Sequence, residues 1–451
     1  MERRPFLRRK IRLPEKRGLV SSLAPLLLSI AGGARASAVA VLLALSACGA
    51  SQQTAAPAPS RIRVPTQIVT PTLDGSEKEL FERGERALLG QRWREAADIF
   101  EALVRVPPEE ARVPIVLFDL AASYEGLEER ERARDRFRDI VQRYPHDKLA
   151  RPALLRILAL DVYLEQWKEL GATAEIFIAR DDLDPVDRMT ALGARGLARI
   201  ELVAGADPSG HDAASPFADE ARAMIDVQNG LDLVEENRYG MTGRLPTAVS
   251  QLKFALGEIR RVRSEKIQFA APLPSGDLPA AAAVSPDFLP KMEARCQGLL
   301  DAQAAYADAM RSVDAHWIAM SGYRVGEMYK KLHHDLMVIP PTLLTKTDKQ
   351  KAIFYAIMHL RYRVLLEKGL EMTKRTLVIG ERQLDSSAWV HRAEEMKRDI
   401  ERAIEEEKAV FATFPFTEEE VQGALDIMKK KAEKQRIARE REQEQARPRA
   451  K

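Results

Sequence analysis

Asparagine is nearly missing from this 451-residue chain: Asn229 and Asn237 are the two present. With one Asn-Gly step, at 229–230, the tight turns that announce paired strands have almost no support. Cysteine is as scarce. Cys48 and Cys296 cannot build a disulfide-rich scaffold or a four-thiolate zinc site. Aromatic residues make up 6% of the chain and long β-branched runs are absent, whereas Ala, Leu, Glu and Arg dominate, which favours helix. Neither charge is in large excess: 70 basic side chains stand against 67 acidic ones, a formal +3. That balance excludes a strongly basic nucleic-acid binder and an acidic tail protein, so no nucleic acid is expected as a partner.

The balance hides an asymmetry. Residues 1–47 carry nine basic and two acidic side chains, and the remainder carries 61 and 65, so removing the first segment reverses the sign. Arg3, Arg4, Arg8, Arg9, Lys10, Arg12, Lys16 and Arg17 precede two apolar stretches, Leu19–Ile30 and Ala36–Leu45. A charged start, a short apolar run and small residues at the cut describe a secretory signal. Leu45-Ser46-Ala47-Cys48 with Gly49 resembles the bacterial lipobox. That resemblance implies cleavage before Cys48, acylation of its thiol and new amine, including palmitate-type chains, and sorting to the outer membrane with the protein facing the periplasm. Three acyl chains exceed the two signals that stable anchoring needs. The alternative is an uncut anchor bridging both apolar stretches across Arg35. Arg3-Arg4-Pro5-Phe6-Leu7 also resembles a twin-arginine export signal, though far from the apolar core. Residues 48–74 are rich in Ser, Gln, Thr, Ala and Pro and read as a flexible tether.

From Glu77 apolar residues recur at helical spacing. One segment places Leu80, Gly84 and Ala87 before Trp93, Ala96, Phe100 and Leu103, with Pro108 after them. The next places Leu117, Leu120, Ala121 and Tyr124 before Ala133, Phe137 and Ile140, ending at Pro145. A third runs through Leu154, Ile157, Leu158, Trp167, Leu170, Ala174 and Phe177. Ala96, Ala133 and Leu170 are each 37 residues apart. Small residues let two helices approach, aromatics fill the gap to the next pair, and proline stops the second helix. The pattern resembles the tetratricopeptide repeat, best in 117–145, with a unit three residues longer than the family's usual 34. The resemblance implies stacked antiparallel helix pairs and a concave groove lined by Phe81, Glu85, Leu88, Phe118, Ala122, Glu125, Leu155, Ala159 and Val162, suited to an amphipathic helix or extended peptide.

Less regular helices follow. Asp184-Pro185 is an N-cap with Pro at the first helical position, and Ser215-Pro216 reads as another start. Pro272, Pro274, Pro279, Pro286 and Pro290 make 271–290 a linker or boundary. Beyond it the spacing predicts helices over about 286–310, 312–337, 348–384 and 386–412, with Thr417-x-x-Glu420 as a capping box for a last one. Gly322–Tyr329 and Tyr362–Lys368 resemble a module of large periplasmic tetratricopeptide proteins, some of them in gliding-motility and envelope machinery. The tail 429–451 holds ten basic and four acidic side chains. It reads as a solvated end, or as a contact with peptidoglycan or another anionic polymer.

Signs of catalysis are sparse. The seven histidines form no His-Glu-x-x-His, and the adjacent His333-His334-Asp335 point different ways on a helix, so no metal or cofactor is expected. Ser250-x-x-Lys253 matches one element of penicillin-binding enzymes, whose companion motifs are missing. Cys296 is left either buried or pairing between chains. The sequence therefore describes an all-α, tetratricopeptide-like helical-hairpin solenoid over 75–270, the linker 271–290, a helical module over 291–415, and a charged terminal helix with basic tail over 416–451. The expected role is a non-enzymatic envelope scaffold that binds protein partners; wall binding, or a wall-acting enzyme using Ser250, are the alternatives. Cys48→Ser should abolish incorporation of labelled palmitate in cells and move the protein from the membrane to the soluble fraction.

Overall fold

The computed structural model describes residues 76–105, 112–206, 218–239, 246–268, 288–312, 314–339, 347–382, 388–423 and 425–427, with Lys430, Lys434, Ile437 and Ala438. The signal, Cys48, the tether, Ser215-Pro216, nearly all of the Pro-rich linker and most of the basic tail lie outside them. Among the described residues the regular structure is helical and no strand occurs, which makes the protein all-α. No described helix is long and apolar enough to cross a membrane. The contacts separate two compact units, divided between Ile140 and Val141.

The first unit contains α1 (Glu77–Leu89), α2 (Trp93–Arg105), α3 (Val113–Gly126) and α4 (Arg130–Arg143) as far as Ile140. Ser76 and Glu79 cap α1 reciprocally: the Ser76 N–H donates to Glu79 at 2.8 Å, and the Glu79 N–H donates to the Ser76 hydroxyl at 3.4 Å. Three-residue turns fold α2 onto α1 and α4 onto α3. Each turn has a residue in the left-handed region, Gln91 (φ 56°) and Glu128 (φ 59°). The next residue donates back across the helix end, Arg92 to the Ala87 carbonyl and Glu129 to the Tyr124 carbonyl, both at 2.9 Å. This six-residue closure satisfies a carbonyl that the helix leaves open. The same device recurs at Glu165 (φ 54°), where Gln166 donates to Asp161 at 2.9 Å. The 37-residue period is thus a period of turns as well as of apolar residues.

Ala96, Ile99, Phe100 and Leu103 of α2 and Ala133, Phe137 and Ile140 of α4 form the floor of this unit, all nearly or fully buried. Phe100 meets Phe81 edge-on at 6.1 Å, and Phe137 meets Phe118 at 5.1 Å. Gly126 leaves room for Trp93, whose ring lies 2.2 Å from where a Cβ would stand. A polar strap crosses α2, α3 and α4. Tyr124 donates to Glu101 at 2.7 Å, Arg132 reaches Glu101 at 2.8 Å with its guanidinium 4.0 Å over the Tyr124 ring, and Arg94 holds Glu129 at 2.6 Å.

The second unit contains α5 (Ala150–Tyr163), α6 (Trp167–Ile178), α7 (Pro185–Ala204), α8 (Glu220–Glu236), α9 (Thr247–Glu265), α10 (Phe288–Ala309), α11 (Ala315–Met337), α12 (Asp348–Arg382) and α13 (Ala388–Phe411). Asp184 caps α7 with Pro185 at its first position, as its sequence indicates. α8 begins later than Ser215-Pro216 suggested, at Glu220 with Asp219 as its cap, because the Asp219 carboxylate accepts from the Arg222 N–H at 3.0 Å. One apolar core joins Leu154, Leu158, Phe177, Leu197, Phe254, Tyr306, Trp317 and Trp389. The Pro-rich stretch therefore connects two helices of one core. The ends it joins are pinned by buried Ser264, which donates to the Arg295 carbonyl at 2.9 Å while Arg295 donates to the Ser264 carbonyl at 2.8 Å. After α13, Thr417 and Glu420 form the anticipated capping box, and Val421 and Leu425 pack with Phe411 against Ala356 and Ile357.

Gly126→Ala should cost about 1–3 kcal/mol, because the added methyl must displace a packed indole ring. Urea unfolding followed by far-ultraviolet circular dichroism measures it.

Candidate functional site

The nine residues of the expected groove are three triads repeated every 37 positions, Phe81-Phe118-Leu155, Glu85-Ala122-Ala159 and Leu88-Glu125-Val162. The first unit holds six of them, on α1 and α3. Phe81, Leu88, Phe118, Ala122 and Glu125 are half-buried and Glu85 is exposed. Their helices bury other positions, Gly84 and Ala87 on α1 and Leu117, Leu120, Ala121 and Tyr124 on α3. The remaining face is apolar and wet, extended by Leu89, which is 84% exposed at the end of α1. The phenyl rings of Phe81 and Phe118 also serve the core through their contacts with Phe100 and Phe137, so they are half support and half surface.

Two carboxylates interrupt this face. The Glu85 carboxylate on α1 and the Asp119 carboxylate on α3 have no hydrogen bond or ion pair among the described residues. Burial first, and then the charge of Glu85, push the Asp119 carboxyl up to about 6. The neighbouring cations are engaged elsewhere: Arg83 with Glu95 at 3.7 Å, Arg86 with Glu82 at 4.0 Å, and Arg112 with Glu77 at 3.3 Å. No periodicity marks Asp119, because its counterpart positions, Glu82 and Arg156, are ordinary exposed polar residues.

The third triad lies in the second unit and behaves differently. Val162 is 2% exposed and belongs to the apolar core, which corrects its placement in the groove. Close by, Tyr163 stacks on His316 of α11 at 4.4 Å, and Glu165 pairs with Arg392 of α13. The C-terminal helices thus cover the end of α5. Leu155 is half-buried against the same core, and Ala159 alone of the three is exposed.

The second unit also gathers charges that no spacing revealed. Glu201 of α7, Glu258 and Arg261 of α9, Tyr306 of α10 and Arg324 of α11 form one buried network. Arg324 contacts Glu201 at 3.1 Å and Glu258 at 3.0 Å, Arg261 holds Glu258 at 2.5 Å, and Tyr306 donates to Glu258 at 2.6 Å. Burial raises Glu201, whereas Arg261 and Arg324 outweigh the burial of Glu258 and keep it ionised. Asp226 of α8 is likewise clamped by Arg195, at 2.6 Å and 3.1 Å, and by Arg199. Every member is spoken for, which makes these networks joints between helices.

The residues weighed for chemistry separate in space. Ser250 is fully buried with no partner for its hydroxyl, while Lys253 faces an open groove of about 840 Å³ beside Met224, Leu231, Leu256 and Arg260. They share no reaction centre. His333 turns to Glu407 of α13 at 3.4 Å, where His359 of α12 also binds, and Asp335 turns away to Arg295 at 2.7 Å. Burial pushes Glu407 up, but the two histidines outweigh it and hold the carboxyl at about 2. Among the described residues no group of three or more His, Cys, Asp or Glu is arranged to hold a metal ion. Cys296 is half-buried against the core, and burial raises its thiol.

A solved structure of a tetratricopeptide repeat protein from Parabacteroides merdae is similar to this chain, with 10% sequence identity and a TM-score of 0.37 over 71% of this chain and 98% of that one. No family model and no curated protein matches. The repeat assignment stands on the 37-residue recurrence of turns and core positions in the chain itself.

The raised Asp119 carboxyl carries a stability consequence. Its folded value lies above the ordinary 3.8, so the ionised form destabilises the fold above about pH 6, and that loss is recovered as pH falls toward 4. Asp119→Asn should therefore stabilise the protein at pH 7.5 by about 1–2 kcal/mol and have little effect at pH 4. Chemical denaturation at the two pH values checks both halves.

Proposed function

We propose that this protein is a non-catalytic scaffold of the bacterial envelope, tethered to the outer membrane by lipid on Cys48 and facing the periplasm, where its helical hairpins dock other envelope proteins. The observation that carries the docking role is the α1–α3 face. It repeats the same register on two helices and keeps Phe81, Leu88, Phe118 and Ala122 half in water. Helical hairpins in series present such faces to amphipathic helices and extended peptides. The anchor rests on the basic start, the two apolar stretches and Leu45-Ser46-Ala47-Cys48. The 27 residues from 48 to 74, if extended, reach on the order of 90 Å, enough to hold the helical body clear of a lipid surface. Membership of a gliding, export or assembly machine belongs to the same reading and follows from the partners captured.

The basic tail favours a second reading, in which residues 429–451 bind peptidoglycan or another anionic wall polymer. Crosslinking in cells separates the two. Ala122→Arg places a long charged side chain on the face and leaves Phe118 and Phe137 themselves unaltered. The full-length protein should capture a small set of envelope proteins, and Ala122→Arg should lose most of that capture at unchanged abundance. Capture that survives Ala122→Arg but disappears with deletion of 429–451, leaving wall fragments unbound, would replace the docking reading with the wall-binding one.

A further inference from the structure

The second unit holds a groove that its own described helices leave open, and we infer that this groove docks an acidic amphipathic helix of a partner protein. The surface is separate from the α1–α3 face and goes beyond the role proposed for it. Three helices build it. α8 and α10 each pack along α9 and scarcely meet one another, so α9 is a floor between two walls. The opening of about 840 Å³ runs beside Met224, Leu231 and Val234 of α8 and Leu256 of α9. A second opening of about 550 Å³ shares Ile267 and Ala294 with it and continues to Pro290 at the start of α10. The core does not use this side of α8. Its buried positions are Ala223, Asp226, Val227 and Gly230, while Met224, Leu231 and Val234 form a second, half-buried stripe at helical spacing.

Charge complementarity says what fits there. Lys253, Arg260, Arg263 and Lys266 recur along α9 as a cationic edge about 20 Å long. Lys291 of α10 adds a fifth positive charge. Three carboxylates stand against these five. Glu220 is shared by Arg263 and Lys266, each at 2.6 Å. Asp301 accepts from Gln297 at 2.9 Å, and its backbone carbonyl, which carries no charge, holds Arg260 at 2.9 Å. Glu235, at the opposite end of α8 from Glu220, is the third. Lys253 and Lys291 have no ion pair among the described residues; neither has Glu235, so the positive surplus of the whole lining sets its sign.

A helix suits this groove better than an extended strand. The walls offer no sheet edge, so an extended backbone would enter an apolar channel with its N–H and C=O groups unpaired. A helix satisfies its backbone internally and can lay leucine-like side chains between α8 and α9. Glutamates or aspartates flanking that stripe then face Lys253, Arg260 and Arg263, where apolar walls strengthen the attraction. A basic helix buries the same apolar area but meets the positive edge, which costs affinity. The edge of about 20 Å matches a helix of about four turns.

The test uses the full-length protein in detergent and two fluorescein-labelled helical peptides of 16 residues. Both carry one leucine stripe, flanked by glutamates in the first and by lysines in the second. Fluorescence anisotropy should show the glutamate peptide binding at least tenfold more tightly. Lys253→Glu with Lys291→Glu should abolish that preference and leave the circular dichroism spectrum and melting temperature intact, because neither lysine has an ion pair to lose. Ala294→Trp, at an exposed position of α10 within the groove, should remove binding of the glutamate peptide by bulk alone. Ala122→Arg should leave that binding unchanged, which separates this groove from the α1–α3 face. Equal binding of the two peptides, binding of neither, or a preference that survives Lys253→Glu with Lys291→Glu overturns the inference. So does a preference indifferent to Ala294→Trp but lost on deletion of 429–451, which assigns the acidic peptide to the basic tail. A dimer in sedimentation that Ala294→Trp dissolves makes a second copy of this chain the occupant. Binding that emerges only when 269–287 is replaced by a Gly/Ser segment of equal length makes the chain's own residues the occupant. Either result also overturns it.

Discussion

The close approach of antiparallel helices is the constraint from which the first unit follows. Two helices brought together by a three-residue turn must shed side-chain volume where their axes come nearest. Gly84 and Gly126 provide that space on α1 and α3, and Phe100 and Trp93 of α2 occupy it. The turns are held to the same geometry by a left-handed residue at Gln91 and Glu128, neither of them glycine, which is tolerated because the back-bonds from Arg92 and Glu129 secure the helix ends. With small residues on one side and aromatics on the other, the outward faces of α1 and α3 keep part of their surface out of the core. That freedom is what makes a repeated surface available for binding.

The same hairpin serves another purpose when its surroundings change. α5 and α6 keep the period and the turn, with Glu165 left-handed and Gln166 closing on Asp161. Yet Val162, which stands where Leu88 and Glu125 are half in water, is core. Tyr163 is stacked against His316, and Arg392 reaches Glu165. The third pair is thereby drawn into the core of the second unit. A repeat unit cannot bury its own outer face, so whichever neighbour the chain supplies decides whether that face stays open.

Charge is distributed by the same logic. Deep in the second unit, carboxylates and arginines meet in closed sets: Glu201, Glu258, Arg261, Arg324 and Tyr306 in one, Asp226 with Arg195 and Arg199 in another. Removing one member would strand a charge in a medium that solvates it poorly, so such sets fix the relative register of several helices together. On the α1–α3 face the opposite holds, and Glu85 and Asp119 lack the counter-charge that closed sets contain.

Much of this architecture was legible in the residues alone. Helix class, the 37-residue period, the Asp184-Pro185 and Thr417-Glu420 caps, and the helical spans after 286 all follow from local rules, because helix periodicity, capping and turn chemistry act over fewer than ten residues. Position within the repeat also determined the triads that define the α1 and α3 faces. What the residues could not decide was occupancy and pairing. Val162 and Ala122 stand at positions of the same repeat pattern, yet Val162 is taken into the core of the second unit and Ala122 stays half in water. Asp119 looks like any helical acid until the fold half-buries it, and His359, Glu407 and His333 are strangers until α11, α12 and α13 meet. Burial and electrostatic partnership are long-range properties: they depend on which surface the chain folds back to cover, and that choice belongs to the tertiary structure.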